Sequence, residues 1–179
     1  MTFEEGVNEI TNSILEMFRI SEEYFGECER KWFFVGIEFK DDGPYIMYYP
    51  SDKISIVLST GSTSNFEQLY YQLAHEVCHL LYPSGKPNAN VLIEGISTYF
   101  SLKYNELKFS NSTYAIDNIK KSNYYNAYLL VDKLLSFDKD AIKKIRMTCS
   151  DISNITEDDL RNLSFNLSEV EIKKLVSKF

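Results

Sequence analysis

Cysteine is scarce in this chain of 179 residues, and its placement does not suit a disulfide framework. The three cysteines, Cys28, Cys78 and Cys149, are odd in number, lie far apart and form no Cys-x-x-Cys motif. Small disulfide-stabilised proteins carry an even, dense set of cysteines, and thiolate zinc sites use closely spaced pairs. We therefore expect three reduced thiols, with Cys78 as a small buried side chain.

Basic charge and long apolar segments are also lacking. The chain has 19 Lys and Arg against 26 Asp and Glu, which gives a net charge of −7. Nucleic acids and anionic membranes attract basic surfaces, so neither is expected as a partner. No apolar run has the length of a transmembrane helix, and residues 1–5 lack the basic and apolar character of a signal peptide. These features predict a cytoplasmic protein, although export by a leaderless route stays open, and they do not indicate an oligomeric state.

Histidine is the scarcest of the chemically active residues, and its two copies stand together in His75-Glu76-Val77-Cys78-His79. On a helix, residues i and i+4 lie on one face, so both imidazoles can bind one zinc ion. Glu76 lies about 100° further around the helix, where it can accept a proton from a water molecule at the metal. The alternative is a pair of half-buried histidines on an ordinary amphipathic helix.

A third metal ligand has to come from another residue type. Catalytic zinc takes three protein ligands and keeps one position open, and with no third histidine the remaining ligand is a carboxylate or a cysteine. Cys78 is awkwardly spaced for an ion that both histidines bind. Glu94, at the start of Glu94-Gly95-Ile96-Ser97-Thr98-Tyr99-Phe100, is the candidate on the next helix. Thr98 is expected to donate a hydrogen bond either to a ligand histidine or to the carbonyl four residues earlier.

His-Glu-x-x-His followed by a Glu-Gly-x-small-x-Tyr-Phe helix resembles the gluzincin-type zinc metallopeptidases, particularly the small bacterial proteins described as peptidase-MA-like. The resemblance covers about residues 54–147. It implies His75, His79 and Glu94 as Zn²⁺ ligands, Glu76 as general base and acid, and a peptide or protein as substrate. The chain departs from these proteins at Cys78, where a smaller residue is common, and in the short gap between its two motifs.

Peptide hydrolysis also needs a hydrogen-bond donor for the carbonyl oxygen as it gains negative charge. Neither histidine is free for this role if both bind the metal. Residues 122–128 lead an apolar helix that resembles the tyrosine-bearing helix of gluzincins, so Tyr124 is the first candidate, followed by Tyr125 and Tyr128. Arg146, or the metal alone, is the alternative. For each of the 13 tyrosines, ordinary packing is the competing interpretation.

The hydrophobic pattern predicts one α+β domain over residues 1–179. We expect a minimal zincin-like fold, with a small antiparallel sheet packed on the zinc-motif helix and a helical C-terminal part at 122–178. The predicted elements are a helix at 2–20, a three-stranded antiparallel meander at about 32–60, zinc helices at 65–82 and 90–106, and helices at 122–136, 138–148, 156–164 and 168–178. Capping boxes are expected at Thr2–Glu5 and Ser64–Glu67. The first zinc helix should bury an apolar side formed by Phe66, Leu69, Leu73, Val77 and Leu80.

Three classes of function fit this pattern. The first is a zinc endopeptidase or aminopeptidase, the second a catalytically silent zinc- or peptide-binding domain, and the third a regulatory protease that cleaves one specific partner protein. Glu76 favours the first and third, because a purely structural metal site has no use for a base beside the first ligand. A regulator would usually carry an additional DNA-binding domain, which this sequence does not indicate, so hydrolysis of peptides in general is the leading prediction.

Overall fold

A computed structural model describes residues 3–28, 31–85, 89–110, 113–120 and 122–179, the side chains of residues 3–8 excepted. Within these ranges the chain forms eight α-helices and one three-stranded sheet. The elements are α1 (Phe3–Phe25), β1 (Phe33–Lys40), β2 (Tyr45–Tyr49), β3 (Lys53–Ser59), α2 (Phe66–His79), α3 (Val91–Lys108), α4 (Tyr114–Ile119), α5 (Asn123–Phe137), α6 (Ala141–Thr148), α7 (Glu157–Asn162) and α8 (Glu169–Val176). The α+β class predicted from the sequence is confirmed.

The sheet is mixed, so the predicted antiparallel meander is wrong. The strand order is β1-β3-β2, with β3 parallel to β1 and antiparallel to β2. Residues 54–58 of β3 are all buried, whereas β1 and β2 are only partly covered. A strand that is apolar on both faces gains most from the central position, where neighbours cover it on both sides. This preference outweighs the sequence-adjacent pairing on which the meander prediction relied.

Helix α2, which carries both histidines, lies between the sheet and α3. Leu69, Leu73, Val77 and Leu80 are buried as predicted, but Phe66 is 57% exposed because it stands at the very start of the helix. The predicted capping box at Ser64–Glu67 is also wrong. Asn65 caps the helix instead, and its side chain accepts a hydrogen bond from the Gln68 backbone N–H at 3.1 Å.

Helix α3 packs closely against both α2 and α5. The close approach to α5 depends on Gly95, since a Cβ atom at this position would lie 2.6 Å from the carbonyl oxygen of Ala127 and 2.6 Å from Cγ2 of Val131. No real Cβ contact is this short, so a side chain here would push the two helices apart. Gly95 thereby brings the N-terminal half of α5 next to the residue that precedes it, Glu94.

The remaining helices follow the predicted order with shifted ends. Helix α1 extends to Phe25, beyond the predicted residue 20, and α6 begins three residues later than predicted. Thr156 and Ser168 form capping boxes at the starts of α7 and α8. The predicted capping box at Thr2–Glu5 includes residues outside the described ones. Helix α4 was not predicted, because its six residues are too short to show a helical repeat.

The segment 177–179 follows α8 and pairs with the residues that lead into α3. The Val91 N–H donates to the Ser177 carbonyl at 3.0 Å, and the Phe179 N–H donates to the Ala89 carbonyl at 3.1 Å. Helix α8 is held against α5 by a Lys133–Glu171 ion pair of 2.6 Å. Segment 177–179 is therefore anchored, through its own backbone and through α8, to both of the helices that flank the candidate site.

Candidate metal centre

The two histidines lie on one face of α2, as their spacing predicts. Their ring centroids are 5.0 Å apart, and His75 is buried while His79 keeps 16% of its side chain exposed. Both residues stand in the last turn and a half of the helix, at the end of the apolar run that fixes α2 in the core. The rigid helix therefore sets the separation of the two imidazoles.

Glu94 enters the same space from α3. Asn90 caps this helix by accepting a hydrogen bond from the Ile93 N–H at 2.9 Å, which places Glu94 in the first turn. One Glu94 carboxylate oxygen lies 3.1 Å from Nε2 of His75, and the other lies 3.7 Å from Nε2 of His79. The structure thus brings together all three residues predicted as ligands.

The donor set fits a zinc ion. His75, His79 and Glu94 each offer one ligand atom, and these atoms lie within 4.8 Å of one another. Two imidazoles and one carboxylate are a common donor set of catalytic zinc, which leaves a fourth position for water or substrate. The three residues also border a cleft, so this position would face open space.

Burial and mutual charge interactions shift the pKa values of His75, His79 and Glu94. Burial alone would lower the pKa of His75, but the hydrogen bond and negative charge of Glu94 more than offset this and raise it. Burial lowers the pKa of His79 to about 4, so its ring is neutral at pH 7. Burial would raise the pKa of Glu94, but the two histidines lower it overall. A cation bound here would therefore compete with protonation of His75.

Glu76 is buried beside this trio, with 4% of its surface exposed. Within the part of the chain that the structure describes, its carboxyl group has no hydrogen-bond or ion-pair partner, although it borders the cleft. Burial raises its pKa to about 7, since the positive charge of His75 only partly compensates. A carboxyl group with a pKa near neutrality can both accept and return a proton at physiological pH.

Of the predicted donors to the carbonyl oxygen, Tyr124 is the one that the fold brings to the three candidate ligands. Its ring meets the His75 ring edge-on, with centroids 5.6 Å apart, and it borders the same cleft. Burial, reinforced by the charges of Glu94 and Glu76, raises the pKa of Tyr124 to about 12. Its phenol therefore stays protonated at neutral pH and can donate a hydrogen bond.

The other three candidates lie elsewhere. Tyr125 and Tyr128 stack on each other, and Tyr128 also stacks on Tyr99, on a side of α5 that borders neither of the cavities described below. Arg146 donates to backbone carbonyls, among them that of Phe25 at 2.8 Å, and so joins the end of α1 to α6. Its guanidinium group is committed to this structural role.

Two further predictions concern residues behind the ligands. Cys78 is fully buried, as expected for a small core thiol, and burial raises its pKa to about 12. Thr98 is also buried, but its hydroxyl group bonds neither a histidine nor the Glu94 carbonyl. It lies beside the phenol of Tyr71, outside good hydrogen-bond geometry.

Two cavities meet at the candidate centre. The first, of about 400 Å³, is bordered by the three ligand residues and by polar groups that include Tyr48 and Lys178. The second, of about 300 Å³, lies between α2 and α4 and is bordered by Tyr71, Ala115 and Ile119. The cavities share Pro44, His75, Glu76 and Tyr124. Glu76 and Tyr124 thus stand where the two cavities join.

Sequence reasoning missed several residues that border these cavities. Tyr71 is one helical turn before His75, with ring centroids 6.4 Å apart, and the i−4 spacing could have revealed it. Pro44 comes from the turn before β2, and Phe179 from the segment after α8. Neither of these two has a sequence signal, because long-range packing brings them to the site.

The chain matches no family model, no curated protein and no solved structure. Among the described residues, no helix combines the length and the hydropathy needed to cross a membrane. The resemblance to gluzincins therefore rests on the two motifs alone.

Proposed function

We propose that this protein is a zinc-dependent peptidase. The observation that carries the proposal is the placement of a buried, unpaired Glu76 next to three converging ligand residues and open to a cleft. Burying a carboxyl group without a partner destabilises a fold. A silent zinc-binding domain has no use for such a group, whereas a hydrolase does.

His75, His79 and Glu94 would hold the metal. When bound, the zinc ion would polarise the substrate carbonyl and make water more acidic. Because burial lowers the pKa of His79 to about 4, its ring would need no deprotonation to bind the ion at pH 7, whereas the raised pKa of His75 would let a proton compete with the ion. Cysteine takes no part, since Cys78 points into the core and its thiol keeps its proton at neutral pH.

Glu76 moves the proton. Its carboxylate accepts a proton from the water molecule that attacks the carbonyl carbon, and it later returns this proton to the nitrogen as the C–N bond breaks. Burial raises the pKa of this carboxyl group in the metal-free fold, which favours its return of the proton, whereas a zinc ion held nearby would favour the carboxylate that accepts it. One residue therefore acts as base in the first step and as acid in the second.

Tyr124 stabilises the carbonyl oxygen as it becomes negative. Its protonated phenol, next to His75 at the junction of the two cavities, donates a hydrogen bond to that oxygen. A fixed donor of this kind is more effective than water because it needs little reorientation during the reaction.

The substrate is a peptide that continues on both sides of the cleaved bond. A cavity lies on either side of Glu76 and Tyr124, so residues before and after the bond each have space. The second cavity is bordered mainly by aromatic, aliphatic and amide side chains, which favours an uncharged side chain there. This arrangement favours cleavage within a chain over removal of a terminal residue.

The zinc-loaded protein is expected to cleave internal bonds in a mixture of proteome-derived peptides. Each cavity has space for substrate residues on one side of the cleaved bond. The products should therefore include the fragments from both sides of each cut. Mass spectrometry of the products measures this, with 1,10-phenanthroline as the metal-removing control. Products that differ from their parents by single terminal residues would contradict the internal-cleavage proposal, and a phenanthroline-insensitive activity would exclude a metal enzyme.

Replacing Tyr124 by phenylalanine is expected to lower kcat by about 100-fold while KM and zinc content change little. The ring and its packing are kept, and only the hydroxyl group that acts in the transition state is lost. Steady-state kinetics on one cleaved peptide measure the effect. Tyr125→Phe and Tyr128→Phe are matched controls on the same helix, and a comparable loss in either would remove the special role of Tyr124.

A further inference from the structure

Tyr124 is held in place by rings rather than by hydrogen bonds. Within the described residues its phenol has no hydrogen-bond partner. Its ring instead contacts two others: His75, with centroids 5.6 Å apart, and Phe179, with centroids 4.7 Å apart. The orientation of the phenol therefore depends on packing against these two rings.

Phe179 is poorly explained as a core residue. It is 38% exposed and borders the first cavity together with Tyr124. Yet its backbone is fixed, because its N–H donates to the Ala89 carbonyl and Ser177 accepts from Val91. An exposed ring on an anchored backbone, pressed against one other ring, is better suited to holding that ring than to stabilising the fold.

The backbone hydrogen bonds of segment 177–179 also connect it to the helices that carry the site residues. Ala89 and Val91 flank Asn90, the residue that caps α3 and so places Glu94. Helix α8, just before the segment, is bonded through Glu171 to Lys133 of α5. These contacts fix the position of Phe179 relative to α3, which carries Glu94, and relative to α5, which carries Tyr124.

We infer that Phe179 is a positioning residue that keeps the Tyr124 phenol directed at the substrate carbonyl. This inference rests on the proposed peptidase function. A side chain that acts in a transition state has to be locked by its neighbours, since a displaced donor loses much of its effect. Without the Phe179 ring, the Tyr124 side chain would occupy several staggered rotamers. Only one of them directs the phenol at the substrate carbonyl.

Kinetics on the full, zinc-loaded chain test the inference. Phe179→Ala should lower kcat by about three- to tenfold, with KM, zinc content and melting temperature nearly unchanged. Phe179→Leu, which keeps an apolar contact, should recover most of the loss. Phe137→Ala is the matched control, because it removes a 57% exposed phenylalanine at the far end of the Tyr124 helix. Wild-type kcat in Phe179→Ala would overturn the inference.

A double-mutant cycle separates positioning from other effects. In the Tyr124→Phe background, Phe179→Ala should cause no further loss, because the hydroxyl group that it positions is gone. An undiminished loss in that background would mean that Phe179 acts independently of Tyr124, and the inference would be wrong.

A measurement that needs no activity keeps the inference distinct from the proposed function. With 3-fluorotyrosine placed at position 124, Phe179→Ala should shift and narrow the ¹⁹F resonance, and Phe137→Ala should not. An unchanged resonance overturns the inference. If the wild type cleaves no peptide at all, the proposed function fails, while a changed resonance still supports a Phe179 that holds Tyr124.

Discussion

Replacing Glu76 by glutamine is expected to lower peptide hydrolysis by about 10³- to 10⁴-fold while the protein keeps its zinc. Glutamine has nearly the same shape as glutamate, but it cannot accept a proton from water or return one to the leaving nitrogen. His75, His79 and Glu94 remain in place, so metal content, measured by atomic spectroscopy, should match the wild type. The loss should appear in kcat and kcat/KM alike, since the proton moves only during the reaction.

The same substitution should stabilise the metal-free fold. The pKa of Glu76 is about 7 in the folded protein, against an ordinary value of 4.5, so the folded state binds more protons between these pH values. Stability of the wild type therefore falls as the pH rises from about 4.5 to 7, and glutamine abolishes this loss. Above pH 7 the gain is on the order of 3 kcal/mol at most. Denaturant unfolding at pH 5 and pH 8 measures it, with Glu67→Gln on the same helix as control.

A misfolded variant would lose both activity and stability, so a gain in stability together with a loss of activity is diagnostic of Glu76. Full hydrolytic activity in Glu76→Gln would place the base elsewhere or assign the activity to a contaminant. Glu67 borders neither cavity. Equal effects of Glu67→Gln and Glu76→Gln on activity and stability would therefore contradict a special role for Glu76.

Removing one ligand is expected to weaken zinc binding by about 100-fold or more, because each donor supplies a large part of the binding free energy. The wild type should bind about one zinc ion per chain, and His75→Ala, His79→Ala and Glu94→Ala should each lose most of it. Titration against a competing chelator measures the affinity. Affinity should also fall as the pH drops, since the raised pKa of His75 lets a proton compete with the metal.

Glu106→Ala is the matched control for Glu94→Ala. It removes the same side chain from the same helix, but Glu106 is 54% exposed and pairs with Lys103 on the surface. Zinc should raise the melting temperature of the wild type and of Glu106→Ala alike, and should have little effect on Glu94→Ala. Equal zinc affinity in the two variants would mean that the third ligand is another group.

The site was more predictable from the sequence than the sheet was. His75 and His79 could be paired because helical spacing is a local property, and Glu94 followed from the need for a third ligand on the neighbouring helix. The strand order could not be found in this way. Parallel pairing of β1 with β3 joins segments that are not adjacent in sequence, and the energy that selects it comes from covering β3 on both sides.

Residues that long-range packing brings to the site could not be identified from the sequence alone. Tyr124 was the leading choice among three neighbouring tyrosines, and only the rotation of α5 distinguishes it from Tyr125 and Tyr128. Phe179 carries no pattern at all, because its place depends on backbone bonds between distant segments. The structural role of Arg146 has no sequence signal for the same reason, since the carbonyls of Phe25 and Leu81 that bind it are far from it in the chain.

Gly95 offers a way to search for sites of this kind in other sequences. Gly95, which follows Glu94, sets how near α5 can come, since even a methyl group there would meet the Ala127 carbonyl. A chain with a larger residue at this position would have to hold its fifth helix further away, and a tyrosine at the start of that helix would then stand too far from the two histidines. We therefore expect Glu-Gly and the later tyrosine to occur together or to be absent together in chains that share the histidine motif.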